Sequence, residues 1–136
     1  TIIRAGEGAG ITGVVMSSDT ADIYNPKVIR STMGAVFRVP FVYVEDLKAA
    51  LSQLKDHGVH LYAAHLKGQN PYDQEDYTES TGFLIGNEAQ GLSDEIASLA
   101  DTYVKIPMAG SVESLNAAIA SSVLMFEVAR QRRNQK

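Results

Sequence analysis

Residues 82–92 have the sequence GFLIGNEAQGL, in which a short apolar segment ends abruptly in a polar turn with a glycine at either end. A short apolar run bounded in this way is typical of a buried strand. Ligands of open α/β sheets bind at the carboxyl ends of the strands. Gly86 would allow a ligand to approach the backbone there, and Asn87 and Glu88 would present polar groups. The alternative interpretation is an ordinary loop between a strand and a helix.

Residues 106–116, with the sequence IPMAGSVESLN, follow the same plan. They come after a predicted strand at 103–106 and lead into the longest predicted helix, at 114–132. Ser114 and Asn116 are therefore expected at the N-terminus of that helix, beside backbone N–H groups that have no partner within the helix. Two loops that contain glycine and follow neighbouring strands could together bind one small ligand.

Apolar runs alternate with amphipathic segments along the rest of the chain, and this alternation predicts a parallel sheet with helices on both faces. The clearest helix is followed by Gly58, a typical stop signal. The polar, acidic segment 67–80 is expected to be a loop, and residues 1–10 fit either a helix or a loop. The predicted strands are 11–18, 41–44, 59–66, 82–85 and 103–106, and the predicted helices are 25–37, 45–57, 92–100 and 114–132.

The composition excludes several classes of protein. With 136 residues, 45% of them hydrophobic, the chain has the size of one domain and enough apolar side chains for a core. A charged fraction of 21% excludes a highly charged disordered tail, and no apolar run approaches the ~18 residues of a membrane span. The absence of cysteine excludes disulfide scaffolds and thiolate metal sites, and it fits a cytoplasmic protein.

The net charge of −4 argues against a nonspecific nucleic-acid binder, which needs cations to displace the counterions of phosphate groups. The end of the chain is nevertheless basic, since it contains Arg130, Arg132, Arg133 and Lys136. These cations predict either a local basic face or a solvated helix end that complements the helix dipole. The sequence leaves both interpretations open.

Two patterns that suggest a cofactor or a metal have simpler explanations. Residues 8–13, GAGITG, match G-x-G-x-x-G, but a dinucleotide fingerprint follows a strand and opens a helix. Here β-branched residues follow the glycines, so we expect a helix end, a turn and then a strand that includes Gly13. His60 and His65 would point to opposite faces of a predicted strand, while His57 suits a helix end, so no metal site is expected.

The motifs of the second half, at 86–91 and 106–116, together resemble the second and third motifs of SpoU-type (TrmH-like) RNA 2′-O-methyltransferases, which belong to the SPOUT superfamily. Residues 1–4, TIIR, resemble the end of the first motif of this family, whose asparagine would lie upstream of this chain. Segments 25–27 and 30–35 are also similar to the family. The resemblance therefore covers nearly the whole chain.

The resemblance implies a parallel-sheet α/β fold with a deep trefoil knot in its C-terminal part. It also implies S-adenosylmethionine as the cofactor, no metal, a homodimer with active sites near the interface, and in many members an RNA-binding domain upstream. We therefore expect residues 1–136 to form a catalytic domain that is truncated at its N-terminus. The long C-terminal helix is the expected dimer interface, because its apolar positions wrap around more than one stripe.

The resemblance also assigns the site. The positions expected to contact the cofactor are Gly86, Ile106 and Leu115, together with Asn87, Met108 and Gly110 in the same loops. The catalytic candidates are Arg4, Glu88, Ser114 and Asn116. In the implied reaction a ribose 2′-hydroxyl attacks the sulfonium methyl group, and Arg4 acts as a base or organises the target phosphate. Because arginine stays charged, we favour placement of the phosphate and polarisation of the hydroxyl.

The expected function is S-adenosylmethionine-dependent 2′-O-methylation of ribosomal RNA. The alternatives are the same reaction on transfer RNA and, from a different class, a noncatalytic RNA-binding or ribosome-assembly module with this fold. A salt bridge from Arg4 to Glu7 or Glu88 is the structural alternative to a catalytic role for this arginine. Gly86→Val is expected to clash with the cofactor and to weaken its binding without unfolding the domain.

Overall fold

The computed structural model of the chain describes residues 2–17, 30, 34–35, 38–65, 68, 70–86, 91–112 and 115–135. The helix predicted at 25–37 falls mostly outside these residues. In chain order the described elements are α1 (Ile2–Ala9), β1 (Val14–Ser17), β2 (Phe41–Val44), α2 (Leu47–Asp56), β3 (His60–Ala64), β4 (Asn70–Pro71), a 3₁₀ helix (Tyr72–Gln74), β5 (Thr81–Leu84), α3 (Asp94–Ala97), β6 (Thr102–Lys105) and α4 (Ala117–Arg133). Among the described residues, none of the helices combines the length and the apolarity that crossing a membrane would require.

Every strand pair in the described ranges is parallel, as the alternation of strands and helices predicts. β1 pairs with β2, and the other four strands form a sheet in the order β4-β6-β3-β5. β3 is thus hydrogen-bonded on both sides, with Ala63 opposite Leu84 of β5 and Ala64 opposite Val104 of β6. This register determines which residues of β3 lie beside the end of β5 and beside the end of β6, where the loops begin.

Successive side chains of β3 enter two different parts of the core, because neighbouring residues of a strand point to opposite faces. Leu61 and Ala63 join a cluster that α2 and α3 cover. Tyr62 joins a second cluster with Tyr77 and with Leu124 of α4. Helices therefore cover both faces of the sheet, and the predicted layers are confirmed.

Local signals set the ends of the helices. The side chains of Asp46 and Ser93 accept hydrogen bonds from backbone N–H groups in the first turns of α2 and α3, at 3.1 and 3.2 Å. After α2, Gly58 adopts a φ of 86°, which favours glycine, and its N–H donates to the Lys55 carbonyl at 3.0 Å. The stop predicted at Gly58 is confirmed.

The structure gives the starts of three elements more exactly than the sequence does. Residues 1–10, which fitted a helix or a loop, contain α1. The strand expected at 11–18 begins only at Val14, so Gly13 precedes it. The long helix begins at Ala117 and not at Ser114, because the side chain of Asn116 caps its first turn.

The segment 67–80 is not the simple loop that its polarity predicts. It contains β4, which pairs with β6, and the 3₁₀ helix. Tyr77 has no exposed surface and packs edge-on against Tyr62 and Phe83. Its hydroxyl donates to the Tyr72 carbonyl at 2.5 Å. Burial raises the pKa of the Tyr77 phenol well above its ordinary range.

The last turns of α4 hold this segment through its backbone. The Gln131 side chain accepts a hydrogen bond from the Tyr77 N–H at 2.7 Å and donates one to the Glu75 carbonyl at 2.8 Å. Arg132 donates to the carbonyls of Tyr77 and Glu79 at 3.2 and 2.8 Å. Side chains that are distant in sequence therefore satisfy backbone groups that a simple loop would expose to water.

Gln131→Ala should lower the free energy of unfolding by about 2 kcal/mol, because it removes two hydrogen bonds to partly buried backbone groups. Arg133→Ala is the matched control, since Arg133 is exposed in the same turn and its loss should change the stability by less than about 0.5 kcal/mol. Urea denaturation followed by circular dichroism measures both variants. Equal effects would mean that α4 does not hold the segment.

Candidate functional site

The carboxyl ends of β5 and β6 lie at the same edge of the sheet, because both strands are parallel to β3. Gly86 follows closely after β5, and Ile106 is the first residue past β6. Contrary to the expectation from sequence, the two strands are not neighbours: β3 lies between them, and two strand spacings separate them by about 10 Å. A ligand that touches both loops therefore spans the end of β3.

Gly86 is required by the shape of its own loop. A Cβ atom there would overlap the backbone of Gly91 and Leu92 and would lie 2.6 Å from the Gly91 carbonyl oxygen. The chain thus returns directly across Gly86. A side chain at this position meets the backbone of the protein itself, so the expectation that Gly86→Val leaves the fold undisturbed is wrong, while contact of Gly86 with the cofactor stays a prediction. Asn87 and Glu88 lie outside the described residues.

The loop after β6 combines apolar side chains with open space. Ile106 is half-buried against the cluster around Tyr62, and Met108 and Leu115 are also half-buried. Gly110 is exposed, and a Cβ atom added to it would have no described residue within 4 Å. Such a surface suits a small ligand that is partly apolar. Ser114 lies outside the described residues.

Asn116 has a structural role that its place in the motif does not reveal. Its side-chain oxygen accepts a hydrogen bond from the Ile119 N–H at 2.8 Å, and its carbonyl accepts one from the Ala120 N–H at 2.9 Å. It is therefore the N-cap of α4. Any contact between its side chain and a ligand would use the amide NH₂ group.

Arg4 lies on the exposed side of α1, a different element from the strand ends, and α1 packs against α4. The structural alternative for this arginine, an ion pair with Glu7, does not form. Glu7 instead pairs with Arg38, Oε1 to Nε at 2.5 Å, and this hydrogen bond raises the pKa of Arg38. Among the described residues, which do not include Glu88, no ion pair to Arg4 is found.

The glycines at 8–13 end a helix, as predicted. Gly10 adopts a φ of 87° and donates to the Glu7 carbonyl at 3.0 Å, and Ile11 donates to the Gly6 carbonyl at 2.9 Å. This pair of hydrogen bonds is the Schellman arrangement of helix C-termini. The Ile11 side chain folds back onto Gly6, where a Cβ atom would overlap it. The ending of α1 therefore accounts for the glycine pattern.

The three histidines have separate partners. The ring of His57 is hydrogen-bonded to the Gln53 carbonyl at 2.8 Å, and that of His60 to the Thr102 hydroxyl at 2.9 Å. His65 lies 3.5 Å from a carboxylate oxygen of Asp94. Within the described ranges, no group of three or more His, Cys, Asp and Glu side chains could hold a metal ion.

A cavity of about 1,580 Å³ lies between β1 and β5. Its lining includes apolar residues of α2 and α4 as well as residues of the two strands. Of the site candidates that the structure describes, Gly86 lines this cavity, whereas Ile106, Leu115 and Asn116 lie elsewhere. The cavity therefore does not coincide with the edge that the two loops share.

The chain is similar to known proteins of one family. A family model described as the SpoU rRNA Methylase family matches residues 1–126. The 23S rRNA (guanosine(2553)-2′-O)-methyltransferase RlmP of Bacillus subtilis (strain 168) is 34% identical over 128 residues, which are 94% of this chain and 51% of the relative. The chain spans about half the length of the curated relatives it matches.

Two solved structures are similar over almost the whole chain. The SpoU methyltransferase AviRb from Streptomyces viridochromogenes, in complex with the cofactor AdoMet, is 35% identical and superimposes with a TM-score of 0.91 over 98% of this chain and 55% of that one. The TrmH/SpoU tRNA modifying enzyme of A. aeolicus is 29% identical, with a TM-score of 0.86 over 98% of this chain and 68% of that one. The parallel-sheet α/β fold thus matches these structures.

Asn116→Ala should destabilise the protein by about 1 kcal/mol, because it removes the cap of a helix of 17 residues. Asn116→Ser retains a side-chain oxygen that caps helices comparably well, so it should recover most of that loss. Thermal unfolding of the three proteins measures the difference. If the alanine and serine variants are equally unstable, capping by Asn116 contributes nothing.

Proposed function

The chain belongs to the SpoU rRNA Methylase family, and from this premise we propose that it contains the catalytic domain of an S-adenosylmethionine-dependent RNA 2′-O-methyltransferase that acts on ribosomal RNA. The observation that carries the proposal is the position of the Gly86 and Ile106 loops at one edge of a parallel sheet. The name of RlmP supports the reaction and the substrate, and the complex of AviRb with AdoMet supports the cofactor. A cytoplasmic location is part of the proposal.

Transfer RNA is the second candidate substrate, because the similar A. aeolicus enzyme is named for tRNA modification. A noncatalytic RNA-binding or ribosome-assembly module is the alternative from another class. An assay that offers ribosomal and transfer RNA side by side, with labelled cofactor, separates the three hypotheses. The proposed enzyme labels ribosomal RNA, the second candidate labels transfer RNA, and a noncatalytic module labels neither.

The two loops have the chemistry that S-adenosylmethionine requires. Ile106, Met108 and Leu115 offer half-buried apolar surface to the adenosine part, and Gly110 leaves space beside them. Backbone N–H and C=O groups of the same loops would supply the polar contacts that orient a small ligand. Asn87 joins this set on its motif position alone. When bound, the cofactor would supply the sulfonium methyl group: the ribose 2′-oxygen would bond to it as the carbon–sulfur bond breaks, and S-adenosylhomocysteine would leave.

Arg4 would hold the phosphate of the target nucleotide. Its guanidinium is exposed and has no ion pair among the described residues, so it can meet an external anion. A guanidinium donates two parallel hydrogen bonds to a phosphate and keeps its charge at neutral pH. Arg4 would therefore orient the nucleotide and polarise the 2′-hydroxyl, and the hydroxyl proton would pass to an oxygen of the bound phosphate or to water and not to Arg4. The other proposed catalytic residues, which would orient the nucleotide, are Glu88, Ser114 and Asn116.

The proposal includes a homodimer built on α4. Ile119 and Phe126 lie on the same side of this helix and are 49% and 47% exposed. Gly8 of α1 lies beside Phe126, so an interface on this face would bring a second chain close to α1 and to Arg4. The proposal also includes the deep C-terminal trefoil knot implied by the resemblance, and the structural similarity to the SpoU methyltransferase AviRb supports it.

Arg4→Ala and Arg4→Lys should each reduce methyl transfer by about 100-fold or more, because lysine keeps the charge but loses the planar fork. The cofactor affinity and the melting temperature should stay the same, since Arg4 is exposed. Transfer of a labelled methyl group to ribosomal RNA by the intact protein measures the effect. Arg38→Lys is the matched control, because it makes the same change at another exposed arginine.

One result of this experiment would contradict the role assigned to Arg4. If both Arg4 variants melt at much lower temperature, while the folded fraction keeps its specific activity, Arg4 is a structural residue. The proposed placement of the phosphate would then be wrong.

Gly110→Val tests contact with the cofactor better than a change at Gly86, because the structure has room for the new side chain. It should weaken S-adenosylmethionine binding by roughly tenfold or more, the effect expected of a steric clash of a kcal/mol or two, and leave the melting temperature unchanged. Gly13→Val, the same change in the glycine pattern at 8–13, is the control; a Cβ atom there would lie at an ordinary 3.6 Å from the Pro40 carbonyl oxygen, and binding should be unchanged. Calorimetry measures both, and the reverse result would move the cofactor to the glycines at 8–13.

A further inference from the structure

His65 stands in the middle of the sheet edge that carries the proposed site. It is the first residue after β3, the strand between β5 and β6. Continuing the register from the pair Ala63 and Leu84 places His65 beside Gly86. On the other side its backbone N–H donates to the Val104 carbonyl at 3.0 Å, close to the start of the loop at Ile106. His65 is therefore flanked by both loops.

The side chain of His65 is held in place. It is only 15% exposed, and its ring centroid lies 5.2 Å from that of Tyr103, with the planes 30° apart. Its Nε2 atom lies 3.5 Å from Oδ1 of Asp94, whose side chain is 86% exposed. The ring therefore rests between an aromatic side chain of β6 and a carboxylate at the surface.

Residues 91–94, where the chain comes back from the Gly86 loop and enters α3, are called here the stem of that loop, and Asp94 is the last of them. The chain returns across Gly86 at Gly91 and Leu92, where a Cβ atom on Gly86 would overlap it. Ser93 then caps α3, and Asp94 is the first residue of that helix. A contact between Asp94 and His65 thus joins the returning stem to the end of the central strand.

The neighbouring charge on α3 has a different partner. Glu95 forms an ion pair with Lys48 of α2, so it links two helices and not the helix to the strand end. The two contacts start from adjacent residues of α3, but one holds the helix to another helix and the other holds it to the end of a strand. The pair of Lys48 and Glu95 is therefore a matched control for the pair of His65 and Asp94.

We propose that His65, through Asp94, is a positioning residue that holds the stem of the 86–91 loop against the end of β3 and thereby sets the affinity for S-adenosylmethionine. This inference rests on the proposed function, because it assumes that this loop binds the cofactor. His65 acts through the backbone that crosses Gly86 and does not itself touch the cofactor.

Calorimetric titration of the intact protein with S-adenosylmethionine tests the inference. His65→Phe, which keeps a ring beside Tyr103, and Asp94→Asn, which keeps the shape of the side chain, should each raise the Kd by about threefold to fivefold. The double variant should be no weaker than His65→Phe alone, because that change already removes the contact with Asp94. Lys48→Met with Glu95→Gln should leave the Kd unchanged.

A conservative variant adds a measurement that a purely structural role would not affect. Asp94→Glu, which keeps a carboxylate at this position, should recover part of the affinity that Asp94→Asn loses. Because Asp94 is exposed, its variants test the inference even if His65→Phe does not fold. Unchanged affinity of Asp94→Asn overturns the role of His65 but leaves the proposed function intact, whereas failure of the unmodified protein to bind the cofactor overturns both.

Discussion

The burial of β3 on both faces and its hydrogen bonding on both edges are the constraint on which the rest of the structure depends. On one face of β3, Leu61 and Ala63 pack against α2 and α3, and on the other face Tyr62 packs against α4. Burying a side chain of the size of Leu61 contributes roughly 2 kcal/mol, so the strand has little freedom to shift its register. With that register set, β5 and β6 must end at one edge. The packing of the strands in the core therefore sets the positions of the loops at Gly86 and Ile106, and contacts between the two loops are not needed for this.

The long helix α4 connects this edge to the far part of the sheet. At its start, Asn116 caps the helix directly after the loop that follows β6. In its middle, Leu124 is fully buried against the sheet. Near its end, Gln131 and Arg132 bind the backbone of the segment around Tyr77. A single helix of 17 residues thus contacts both the loop after β6 and the acidic segment 67–80, so a shift of one should move the other.

The sequence predicts those features that depend on neighbours along the chain. Alternating apolar runs predict the parallel strands and the helices on both faces, and Gly58 predicts the end of α2, because each is a local preference. The position of β3 between β5 and β6, the burial of Tyr77 and the pairing of Glu7 with Arg38 depend on residues far apart in the sequence, and no local pattern contains them. Gly86 illustrates the difference within the site: its motif identifies it, but the crossing backbone that requires a glycine appears only in the folded chain. Asn87, Glu88 and Ser114 stay predictions from the motif.

We propose that this sheet edge brings a methyl donor to a ribose hydroxyl of RNA. The most direct measurement is mass spectrometry of the nucleosides released from ribosomal RNA after incubation with the intact protein and isotopically labelled S-adenosylmethionine. The account predicts one nucleoside that carries the labelled methyl group on its 2′-oxygen. A label on a base, or binding of the cofactor with no transfer to any RNA, would contradict it.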